Sequence, residues 1–131
     1  DFYLKKVNDA EAGLKRVLAK NPDHVFAHKY LGLIHLAKGQ PQLALQEFQF
    51  VATRSPRDEE ANFRTGFLLA RQARLEDAIQ YFRKVLEINP SNVMALTNLA
   101  LAYQKTNQSD LAQKALADAC KLDAKYCSSA R

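Results

Sequence analysis

The 131-residue chain has no tryptophan, one methionine, two cysteines, four glycines and four prolines. Two cysteines do not make a disulfide framework, which excludes a small scaffold held together by cross-links. No glycine-rich phosphate loop is present, and no serine or cysteine stands near a histidine in a familiar catalytic spacing. No apolar run approaches the roughly 18 residues of a membrane span, so membrane insertion is not expected. The start, Asp1-Phe2-Tyr3-Leu4 followed at once by Lys5-Lys6, lacks the order of a signal peptide. It also lacks methionine, as expected of a cut or processed fragment. A block of charge of one sign is missing too. The net charge of +5 is spread so evenly that no repeat-length segment exceeds +2. A nucleic-acid binder concentrates its Lys and Arg on one face or arm. Acidic protein partners are therefore expected rather than nucleic acid.

What the chain does have is a period. Three prolines, Pro22, Pro56 and Pro90, stand 34 residues apart. Each keeps its phase with a small residue and a bulky one four positions later: Ala10/Leu14, Ala44/Phe48 and Ala78/Phe82. The series continues at Ala112/Leu116, where Ala124 takes the proline's place. A fixed period of this length marks a repeat architecture.

Each period holds two helical patterns and two stops. From Val25 to Lys38 the apolar residues Phe26, Tyr30, Leu31, Leu33, Ile34 and Ala37 form a wide helical stripe. Gly39 ends that helix, and Pro41 suits the first turn of the next. Leu43, Ala44, Phe48 and Val51 give the second stripe, and Ser55-Pro56 closes it. Asp58 is placed to cap the following helix. The same pattern predicts helices over 61–72, 77–88 and 93–106, and one that Ser109 or Asp110 caps and that runs to about Leu122. Asn8 or Asp9 to Lys20 reads as one helix, with Phe2-Tyr3-Leu4 as the remnant of a lost partner. Short connections force antiparallel neighbours.

These residues resemble the tetratricopeptide repeat, whose 34-residue pattern is W-x2-L-G-x2-Y, A-x3-F, P. The first halves read His28-x2-Leu31-Gly32-x2-His35, Asn62-x2-Thr65-Gly66-x2-Leu69 and Leu96-x2-Leu99-Ala100-x2-Tyr103. The resemblance implies an all-α, right-handed superhelical solenoid of antiparallel helix pairs, about seven helices in all. Residues 1–24 would be the second helix of a truncated repeat, 25–58, 59–92 and 93–126 complete repeats, and 127–131 a tail. No closing polar helix follows Leu122, so both ends are expected to expose apolar surface.

The resemblance also implies a peptide-binding groove along the first helices. It would present Phe26, Lys29, Tyr30 and Leu33 from one repeat, then Phe63, Arg64, Phe67 and Arg71 from the next. Met94, Asn98, Leu101 and Lys105 would follow from the third. An apolar floor with basic rims suits a segment with apolar anchors and acidic flanks. One branch of the family clamps a C-terminal carboxylate with Lys, Asn, Asn, Lys and Arg. Only Lys29 matches that register; Leu33, Arg64, Met94 and Asn98 hold the other places, so that clamp is not expected.

His24, His28 and His35 fall on one helical face, but the outer two lie about 16 Å apart along it, too far to share an ion. Neither a metal nor another cofactor is expected. Cys120 and Cys127 are either reduced thiols or a local staple, which would require an oxidising compartment. The expectation is a non-enzymatic protein-interaction scaffold, cytoplasmic or bacterial periplasmic. Self-assembly through uncapped ends is the alternative, and RNA binding is disfavoured because the related RNA-binding repeats prefer 35 residues. Gly66 and Ala78 are read as the small residues that let paired helices approach. Gly66→Leu or Ala78→Leu should therefore cost roughly 1–3 kcal/mol of stability, and an unchanged thermal midpoint would break this register.

Overall fold

In a computed structural model that describes residues 1–127, the chain is helical throughout, with no strand among the described residues. Seven α-helices run in order: α1 (Phe2–Lys20), α2 (Val25–Ala37), α3 (Pro41–Arg54), α4 (Glu59–Arg71), α5 (Leu75–Ile88), α6 (Val93–Lys105) and α7 (Ser109–Leu122). A 3-10 turn, Ala124–Tyr126, follows among the described residues. The chain forms two compact units, Asp1–Ala61 and the part from Asn62 onward.

Two kinds of turn repeat at the 34-residue period. Within each helix pair the chain reverses through one left-handed residue: Gly39 (φ 70°), Ala73 (φ 61°) and Asn107 (φ 62°). The next N–H in each turn reaches back to a carbonyl of the helix just ended, as Gln40 to His35 (2.8 Å), Arg74 to Leu69 (3.0 Å) and Gln108 to Tyr103 (2.8 Å). This closure satisfies carbonyls that a helix end leaves open. Gln40, Arg74 and Gln108 are the N-caps of the second helices and form no side-chain cap hydrogen bond. The cap expected from Ser109 or Asp110 is not formed, because Ser109 is already the first residue of α7.

The second turn, after each second helix, centres on positions 24, 58, 92 and 126. Their N–H groups donate to the carbonyls of Asn21, Ser55, Asn89 and Asp123 at 2.9–3.1 Å. The first three then cap the next helix through their side chains. His24 Nδ1 accepts from the Ala27 N–H (3.1 Å), Asp58 Oδ1 from Ala61 (2.9 Å) and Asn92 Oδ1 from Ala95 (2.9 Å).

In the first unit, α1 differs from expectation. It begins at Phe2, not at Asn8 or Asp9, and Phe2-Tyr3-Leu4 are its first turn rather than the remnant of another helix. Asp1 Oδ1 caps it by accepting from the Tyr3 N–H (2.7 Å) and more weakly from Leu4 (3.5 Å). No proline interrupts the stretch, and nothing in it stops a helix before Asn21-Pro22. A hydrogen bond from Lys38 Nζ to Glu11 Oε1 (2.8 Å) ties α1 to the end of α2.

The packing logic is sharpest where a glycine meets an aromatic ring. A Cβ on Gly32 would lie 2.9 Å from the Phe48 ring, and one on Gly66 would lie 3.0 Å from that of Phe82. Both rings are completely buried. Each therefore lies on the glycine of its own helix pair, and the missing methyl is what lets the helices close. In the third pair the sequence changes on both sides, to Ala100 and Leu116. Ala100 joins Leu96, Ala115 and Ala119 in a buried cluster, with Leu86, Leu116 and Tyr126 packed against it.

Ala73 holds a backbone conformation that costs a residue with a Cβ roughly 1–2 kcal/mol. Ala73→Gly should therefore raise stability by about 0.5–1 kcal/mol, and Gly39→Ala should lower it by a similar amount. Urea-unfolding midpoints check both; equal midpoints for all three proteins would show that this turn geometry is not selected by its left-handed residue.

Candidate functional site

The residues expected to bind a partner divide between the two units. In the first, Phe26 and Tyr30 stand one turn apart on α2 with ring centroids 4.4 Å apart. They are 60% and 42% exposed, while Leu33 is half-buried. Between them Lys29 is not available as a rim cation. Its Nζ lies 2.9 Å from Asp58 Oδ2 and 3.3 Å from Glu60 Oε1. Burial alone would lower its pKa, but hydrogen bonds and charge from Asp58 and Glu60 outweigh burial and hold the ammonium above the ordinary lysine range. The first-helix face of this unit offers an aromatic pair beside a local ion-pair cluster.

In the second unit Phe63 is half-buried, its ring 5.8 Å from that of Phe82, so it belongs partly to the core. Phe67 stacks beside it at 6.2 Å and is 38% exposed, with the Arg71 guanidinium 5.9 Å from its centroid. Arg64 is half-buried and engaged. On α6, Met94 and Leu101 are 60% and 49% exposed, and Lys105 is exposed at the helix end. Asn98 turns its amide inward on its own helix, donating to the Met94 carbonyl at 2.8 Å. Apolar anchors and exposed cations (Arg71 and Lys105) thus lie together in this unit, where the charge differs from that around Lys29.

The histidines have structural partners. His24 is a helix cap. His28 lies between Glu47 Oε1 (2.6 Å from Nδ1) and the Pro22 carbonyl (2.7 Å from Nε2), with Phe50 against its ring at 3.9 Å. His35 is buried with Nδ1 2.9 Å from Gln40 Oε1. Cys120 and Cys127 are joined by a disulfide across a Cα separation of 4.5 Å, which holds the 3-10 turn against α7. Among the described residues no helix is long and apolar enough to cross a membrane.

One surface feature lies outside every expected site residue. A groove of about 490 Å³ opens between α5 and α7, floored by Leu96, Leu99 and Tyr103 of α6. Its walls come from three helices, so no single stretch of sequence announces it. The only local sign is Leu111, an exposed leucine one position before the small residue of its repeat.

Paired antiparallel helices, with turns and caps recurring every 34 residues, define a helical-repeat protein of the protein-interaction class. Sequence profiles described as tetratricopeptide repeat match residues 2–59, 36–93 and 81–114. The chain belongs to the tetratricopeptide repeat family. A human relative, FK506-binding protein-like, is 37% identical over 88 residues, which cover 66% of this chain and 25% of that protein. This chain thus spans about a quarter of that relative's length. Among solved structures, MamA of AMB-1 aligns with a TM-score of 0.80 at 27% identity, covering 87% of this chain and 62% of that one. MamA from Desulfovibrio magneticus RS-1 aligns at 0.78 and 21% identity, over 94% and 70% of the two chains, and shows likeness of fold. Proteins of this family are generally non-enzymatic scaffolds that bind other proteins.

Because the Lys29 pKa is raised on folding, the stability it contributes is fully present below the unfolded-state value near 10.5 and is lost as pH rises through the folded value. Lys29→Met should cost roughly 1 kcal/mol at neutral pH. The gap between the two proteins should then narrow at higher pH. Denaturant unfolding at pH 7 and above pH 10.5 checks both; a gap unchanged by pH would remove the ion pair as its cause.

Proposed function

We propose that the exposed first-helix faces of repeats 25–58, 59–92 and 93–126 bind a segment of a partner protein that carries apolar anchors and acidic flanks. The observation that carries this reading is Phe67 exposed under Arg71, in the same unit as exposed Met94, Leu101 and Lys105. An accessible aromatic beside an arginine provides both desolvation energy and an anion-attracting edge. The Phe26–Tyr30 pair adds a second apolar anchor, but the carboxylates around Lys29 leave no excess positive charge there. Acidic flanks are therefore read mainly by Arg71 and Lys105. A bonded Cys120–Cys127 pair favours an oxidising compartment, which among the expected compartments is the periplasm.

Self-assembly is a second reading, favoured by one observation. Not one residue of the 19-residue α1 is fully buried, and Phe2, Tyr3, Leu4 and Val17 are all exposed. Concentration-dependent size in solution would support this reading.

The test compares wild type with Phe67→Glu/Arg71→Glu in a pull-down from source lysate, once circular dichroism shows both equally folded. A partner retained by wild type, weakened by added salt and lost from the double variant is the expected result. The same partners on both proteins would overturn the first-helix reading.

A further inference from the structure

The groove between α5 and α7 has the makings of a second binding surface. Both helices run antiparallel to α6 across short turns, so they run parallel to each other. Leu86 forms one wall and Leu111 the other, over a floor of buried Leu96 and Leu99. The upper rims carry charges in the same order. Arg83 and then Glu87 lie one turn apart on α5, and Lys114 and then Asp118 one turn apart on α7. Each rim thus passes from positive to negative in the same direction, giving a basic step followed by an acidic one. Among the described residues Arg83 has no ion pair. The others are held only by exposed contacts within their own helices, Lys114 to Asp118 at 3.2 Å and Lys84 to Glu87 at 3.8 Å. Exposed pairs of that kind contribute little and exchange readily for a new partner.

We infer that this groove docks one amphipathic helix of a partner protein. That helix would carry a leucine-like stripe against the floor, an acidic side chain over Arg83 and Lys114, and a basic one a turn away over Glu87 and Asp118. Charge complementarity selects this occupant, and the nature of the walls selects a helix. Both walls are helices, which present side chains and no open backbone groups. An extended segment laid between them would lose water from its peptide N–H and C=O groups without replacing those hydrogen bonds. A helix satisfies its own backbone and brings only side chains to the groove. This surface is formed by different helices from the first-helix faces, and the proposal stands whether or not those faces bind a peptide.

The test uses a synthetic, helix-stapled peptide of about four turns with a leucine stripe at i, i+3, i+4 and i+7, one flanking Glu and one flanking Lys a turn apart. It is titrated into the full chain with methyl-labelled leucines and followed by NMR. Saturable shifts at Leu86 and Leu111 are expected, with a Kd of about 100 μM or below. Arg83→Glu/Lys114→Glu, with its circular dichroism unchanged, should weaken binding at least about tenfold. A second peptide with Lys in place of the Glu should recover that loss on the variant and bind wild type more weakly. No shift at about 1 mM peptide, shifts confined to Leu101, or a loss that the second peptide does not recover would each overturn the proposal. Concentration-dependent broadening at Leu86 and Leu111 without peptide would also overturn it, by showing that a second copy fills the groove.

Discussion

The close approach of an aromatic ring to a glycine is the constraint on which the rest of this fold depends. Phe48 and Phe82 are the largest completely buried side chains, and each lies on a glycine in the facing helix of its own pair. The glycine is costly to its helix, by roughly 1 kcal/mol relative to alanine, and it is retained because a methyl there would collide with the ring. The third pair solves the same problem with less volume on one side and more on the other. Leu116 replaces the phenylalanine and Ala100 the glycine, as expected where total volume matters more than either identity.

Once each pair is closed in this way, the turns follow. The left-handed residue occurs at positions 39, 73 and 107 as glycine, alanine and asparagine, so the geometry is kept while the residue that suits it best is not. The caps at 24, 58 and 92 are likewise histidine, aspartate and asparagine, three side chains that share one acceptor atom at the right height. A repeat needs the bond and tolerates any side chain that supplies it. This tolerance frees the outer faces to differ from one repeat to the next.

Most of the helical framework was legible in the sequence because a 34-residue period repeats each stop three or four times. The misreadings come from single features that no neighbouring repeat corroborates. Phe2-Tyr3-Leu4 has no counterpart to show that α1 simply continues through it. Lys29 reads as a rim cation because Asp58 and Glu60 lie about thirty residues further along, and only folding brings them within ion-pair distance. Asn98 looks available for a ligand, yet its amide is engaged by its own helix. The α5–α7 groove was hidden for the opposite reason, since each of its residues looks ordinary within its own helix.

The two candidate surfaces of the second unit differ in chemistry in a way that bears on how a scaffold of this kind selects partners. The first-helix residues offer an aromatic ring under a guanidinium, exposed thioether and leucine, and a terminal lysine. Such a set favours negative charge and tolerates many backbone shapes, because ring faces and cations demand little geometry. The groove between second helices offers only aliphatic walls and opposed charges one helical turn apart, a pattern that a regular helix matches and an irregular segment does not. On these two proposals, charge would serve attraction on one surface and register on the other. Register is the more selective use, since a like-charged pair at either step penalises a wrong partner more than a correct pair rewards the right one.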